Sequence, residues 1–169
     1  METVILQALE AHRPCIRSNW ENLLRIERMN SPLANPDTLV HLLDTTLNDV
    51  FSTLRIWSAR RLHTRQQEPP CPCGRNPLLA YFSAGRQALR EGLVLAQVLA
   101  PDLTAAQRDE ALTCLEQAFG HIAQREIQSF CAICQFREVS DKVSPEVRPA
   151  ALALPATHEH HPMQHHAPA

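Results

Sequence analysis

Apolar residues recur every three or four positions from the N-terminus to about Arg137, and nowhere does the chain sustain the alternation of a half-buried strand. The pattern predicts helices. The first apolar segment, Glu2 to about Met29, carries Val4, Leu6, Leu9, Ile16, Trp20, Leu23 and Leu24. Pro14 either kinks it or opens a second helix, and Asn30-Ser31-Pro32 closes it. Asn35-Pro36-Asp37 then supplies an N-cap, a first-turn proline and an acidic first turn. The helix it starts is expected to reach about His63, with Leu39, Leu43, Leu47, Val50, Leu54 and Trp57 on its buried face.

Between Thr64 and Cys73, the stretch Gln66-Gln67-Glu68-Pro69-Pro70 cannot continue a helix, and Asn76-Pro77 begins the next one. That helix places Leu78, Phe82, Gly85, Leu89, Gly92, Ala96 and Leu99 in a strict four-and-three seam. Each helical glycine costs about 1 kcal/mol against alanine, so two on one face imply a packing gain from a close neighbour, in this chain or in a second copy of it. Ala100-Pro101-Asp102 turns the chain, and Thr104-Ala105-Ala106-Gln107 has the form of a capping box. The last helix should run to about Arg137 with Ala111, Leu115, Ala118, Phe119, Ile122, Phe130 and Ile133 inward. Beyond Ser140, prolines at 145, 149, 155, 162 and 168 interrupt any periodicity. The expectation is an all-α antiparallel bundle of about four to five helices over residues 1–137, with a disordered Pro/His-rich tail over 138–169.

Charge changes this picture little. Sixteen basic and eighteen acidic residues leave a formal net charge of −2, which gives no field for nucleic acid or an anionic membrane. Met1-Glu2-Thr3 is not the basic start of a leader, and no run approaches the roughly 18 apolar residues of a membrane span. A cytoplasmic location is expected. Six cysteines in that compartment are thiols or metal ligands rather than a disulfide framework.

Four of the six carry the candidate chemistry. Cys71-Pro72-Cys73 lies just before one helix and Cys131-Ala132-Ile133-Cys134 lies near the end of the next. Cys73 and Cys131 stand at equal sequence distances from Asp102, so an antiparallel hairpin turning there brings the two pairs level. Cys131 and Cys134, three apart on a helix, would share a face. Four thiolates with no open position suit a closed structural zinc site, with Zn–S distances of about 2.3 Å. An iron–sulfur cluster and a reversible dithiol pair are the alternatives. Cys114, about 25 Å along the same helix from Cys131, is read as a core residue, and Cys15 is left out of the site.

Other features add less. His158-Glu159-His160-His161 and His165-His166 in the tail suggest weak capture of transition metals, and with it a metal-delivery alternative. Arg55, Arg60, Arg61, His63 and Arg65 are read as solvated complements of a helix C-terminus. Arg86, Arg90, Glu91, His121, Arg125 and Glu126 form a polar set at a helix interface, but no nucleophile, base and orienting group stand at a catalytic spacing. No enzyme is expected.

Arg17-Ser18-Asn19-Trp20-Glu21-Asn22-Leu23-Leu24, followed by Asp37-Thr38-Leu39-Val40-His41-Leu42-Leu43 and by Ala84-Gly85-Arg86-Gln87-Ala88-Leu89, resembles the N-terminal helical input domains of RsbRD-type stress regulators and some histidine kinases. The resemblance implies sensing or protein contact rather than catalysis. The chain departs from it by its four-cysteine set, and the usual output domain is not expected after Arg137. The expected function is a zinc-binding regulatory or interaction module with a protein partner or a homodimer.

Overall fold

The structure is a computed structural model that describes Met1 and residues 3–26, 32–57 and 74–134. All regular structure among these residues is helical: α1 (Thr3–Ala11), α2 (Arg13–Ile26), α3 (Pro36–Leu39), α4 (Leu43–Trp57), α5 (Pro77–Val98) and α6 (Ala105–Ile133), with 3-10 turns at Pro32–Ala34 and Val40–Leu42. The expected tail over 138–169 and its histidines lie outside the described residues.

Local sequence explains most boundaries. Pro14 has no N–H to bond back into α1, and it sits in the first turn of α2, where none is needed, so the first segment is two helices meeting at His12. Asn35 caps α3 by accepting a hydrogen bond from the Asp37 amide at 3.0 Å. Thr104 and Gln107 close a reciprocal capping box on α6. The helix expected to run unbroken from Asn35 is interrupted, because the Leu43 amide bonds to the Val40 carbonyl three residues back, tightening one turn to 3-10. Leu39 and Leu43 are buried across that turn, while Leu42 stays 41% exposed.

Four helices form a ring of antiparallel neighbours. Arg25 reaches Asp37 and Arg17 reaches Asp44, setting α2 against the α3–α4 segment. Ile16 faces Gly92 and Trp20 faces Gly85, which sets α2 antiparallel to α5. Gln97 bonds the Arg108 carbonyl near the hairpin turn, and α4 completes the ring against α6 through Asp49 and Arg125. The short α1 packs on α5 and α4.

The glycine seam of α5 is internal. A Cβ at Gly92 would stand 2.5 Å from Ile16 Cγ1, and one at Gly85 would overlap the indole of Trp20. Trp20 is fully buried, and its Nε1 donates to the Tyr81 carbonyl at 3.0 Å, one turn before Gly85. Its ring lies 4.8 Å from Tyr81 and 5.8 Å from Phe119, with Phe82 joining the cluster at 5.1 Å from Tyr81. The inward face differs from the expected one at the helix ends: Leu99 is 68% and Ile133 is 78% exposed, while Phe51, Ala123 and Ile127 are buried.

Tyr81, the only tyrosine of the chain, donates its hydroxyl to Thr46 Oγ1 at 2.9 Å. Burial pushes its phenol above the ordinary value of 10. The folded state therefore favours the neutral form, a contribution fully present below pH 10 and lost as pH rises, because the unfolded chain ionises first. Tyrosinate absorbance is expected to rise together with loss of helicity. Tyr81→Phe should flatten the alkaline loss of stability while costing about 1 kcal/mol at neutral pH. A phenol that titrates near pH 10 with helicity intact would refute this.

Candidate metal centre

The start of α5 is built by its own sequence. Gly74 holds a φ of +61°, the left-handed conformation that glycine adopts without a Cβ penalty, and it turns the chain immediately after Cys73. Asn76 precedes a proline and is accordingly extended, at φ −67° and ψ 115°. From there its Oδ1 accepts the Leu78 amide at 2.9 Å and caps the helix.

The end of α6 lies against this start. Ile127 is fully buried, and Cys131, one turn later, packs half-buried against the core. Asn76 Nδ2 donates to the Ile127 carbonyl at 3.3 Å and to Cys131 Sγ at 3.5 Å. Asn76 and Cys131 thus meet at the open end of the α5–α6 hairpin, with the contact falling three positions after Cys73, the residue expected to stand level with Cys131. Cys71 and Cys73 lie outside the described residues. Asn76 stands three positions after Cys73, a span of at most about 11 Å.

Cys134 corrects one expectation. It does not continue the helix but caps it in an extended conformation, at φ −72° and ψ 118°, with its amide bonded to the Cys131 carbonyl at 3.3 Å. The tightened three-residue turn ends α6 four residues earlier than its apolar spacing implied. Cys131 and Cys134 thus close the last turn of α6 together. Among the described residues, which include only Cys131 and Cys134 of the four expected ligands, no three Cys, His, Asp or Glu side chains gather around one point. Cys114 is half-buried against the core, far back along α6, and Cys15 is exposed on α2, so neither joins the site.

The remaining charged groups divide among structural pairs. Arg86 and Arg90 both meet Glu116, tying α5 to α6. Glu91 accepts from Asn19 and Gln87. Arg125 pairs with Glu126 at 2.8 Å and Asp49 at 3.3 Å, contacts that raise its already high pKa and keep it a fixed cation. His121 lines an open groove of about 200 Å³ between α4 and α6 together with Asp49, Ser52, Thr53 and Arg125. Of the basic run after α4, Arg55 meets Glu10 at 2.7 Å, and Arg60, Arg61, His63 and Arg65 lie outside the described residues.

Sequence reasoning overlooked Asn76. Asn76-Pro77 reads only as the start of a helix, and nothing in that dipeptide points to a contact with Cys131. Fold and site together define an all-α bundle whose longest hairpin is closed by a buried amide against a cysteine. No family model, curated protein or solved structure matches the chain. No described helix is long and apolar enough to cross a membrane.

Proposed function

We propose that this protein is a non-enzymatic interaction module whose α5–α6 hairpin is stapled by a structural zinc ion bound to Cys71, Cys73, Cys131 and Cys134. The observation that carries the reading is the contact of Asn76 with Cys131, which puts the chain just downstream of one cysteine pair against the first residue of the other. A thiolate set closed by four sulfurs leaves no position for substrate, which suits a structural rather than a catalytic ion. A non-catalytic role also fits the charged side chains of the helix interfaces, which are engaged in ion pairs. Val94, Leu95, Val98 and Leu99 support the interaction role, since they form an exposed apolar strip along the last turns of α5.

Elemental analysis and a visible spectrum of anaerobically purified protein test the ion. About one zinc per chain and no colour are expected, whereas broad visible absorbance would assign an iron–sulfur cluster instead. Cys131→Ser and chelator treatment should each lower the melting temperature, by at least about 10 °C if the ion is held three orders of magnitude below its working concentration. Melting curves unchanged by both would reduce the cysteines to core filling.

A further inference from the structure

Asn76 is a buried polar side chain whose amide oxygen and nitrogen are both engaged. It is fully buried, with its Oδ1 engaged by the Leu78 amide and its two amide hydrogens directed to the Ile127 carbonyl and Cys131 Sγ. Its own carbonyl accepts the Leu79 amide at 3.2 Å, beginning the hydrogen-bond ladder of α5. One residue thus touches the cap of one helix, the backbone of the other and a cysteine sulfur.

The sulfur contact responds to chemistry. A neutral thiol is a weak acceptor, whereas a metal-held thiolate carries negative charge and accepts an N–H strongly. Groups that hydrogen-bond to metal ligands orient them and tune their affinity for the ion. We infer that Asn76 is the positioning residue of the cysteine centre, aiming Cys131 Sγ and coupling occupancy of the site to the capped start of α5. This inference rests on the metal reading above. By linkage, the coupling runs both ways: the ion tightens the cap, and the cap tightens the ion.

Two substitutions separate the sulfur contact from capping. Asn76→Ser keeps a capping oxygen but is too short to bring a donor to Cys131. Asn76→Asp keeps the cap and sets an acceptor where the donor stood. The full chain loaded with cobalt(II) provides the probe, because its thiolate-to-metal charge-transfer band reports on the sulfurs directly.

Both variants are expected to retain the helicity of the metal-free wild type, to release cobalt to a competing chelator about 10- to 100-fold more readily, and to shift the charge-transfer band. Wild-type affinity and an unshifted band in Asn76→Ser would overturn the inference while leaving the metal reading intact. A wild-type protein that shows no thiolate band with cobalt would remove both. Should the aspartate variant fail to fold, the serine variant decides alone.

Discussion

Trp20→Ala should destabilise the protein by about 3–5 kcal/mol, the range for removing a large aromatic side chain from a core. Trp20 has no exposed surface, lies against Tyr81 and Phe119, and directs its N–H to the Tyr81 carbonyl. The cavity left behind borders helices α2, α5 and α6, which are already braced by other contacts and cannot collapse fully into it. Urea unfolding followed by far-ultraviolet circular dichroism gives the value. A loss below about 1 kcal/mol would mean that the indole is not the centre of the core.

The second large effect lies on the opposite side of the same contact. Gly85→Leu and Gly92→Leu should each cost about 1–3 kcal/mol or more by overpacking, with the larger loss at Gly85, where the obstacle is a rigid indole rather than the flexible tip of Ile16. Loosening of the bundle is expected without a change in molecular mass by sedimentation, since the seam joins helices of one chain. A double-mutant cycle sharpens the test. Gly85→Ala should destabilise the wild type yet become favourable in the Trp20→Ala background, where the added methyl finds room and alanine improves the helix by up to about 1 kcal/mol. Additive effects would refute the assigned contact.

These predictions show where the sequence was informative. The caps at Asn35 and Thr104 and the helix start at Asn76-Pro77 were legible because each rests on local exchanges of hydrogen bonds between residues two or three apart. Gly85 and Gly92 announced a close approach by their spacing. That the approaching groups are Trp20 and Ile16 was not legible, because nothing in the α5 sequence specifies a partner more than 60 residues away. The ends of helices were read least well. Periodicity carried Leu99 and Ile133 inward, but at a terminus the neighbouring helix has already ended or turned away, and a residue in phase with the core has nothing left to pack on. Near the site, periodicity carried α6 on to about Arg137, whereas the helix stops at Ile133 with Cys134 as its cap, because a local three-residue backbone bond leaves no mark in apolar spacing. The groove beside His121 could not be read at all, because it depends on how α4 and α6 meet across the ring.

The two long sides of α2 divide its attachment between different kinds of information. Toward α5 it presents Ile16 and Trp20, apolar groups whose attraction scales with area and varies smoothly as one helix slides along another. Toward the α3–α4 segment it presents Arg13, Arg17 and Arg25, which find Asn48, Asp44 and Asp37 in antiparallel order. Glu21 sits between Arg17 and Arg25, its carboxyl held below the usual range chiefly by the hydrogen bond from Arg25. Such exposed pairs add little to stability, but guanidinium forks are directional, and a slip by one turn would set each arginine opposite the wrong group. The ladder acts as a vernier: hydrophobic burial brings the helices together, and the spacing of the charges decides which turn faces which.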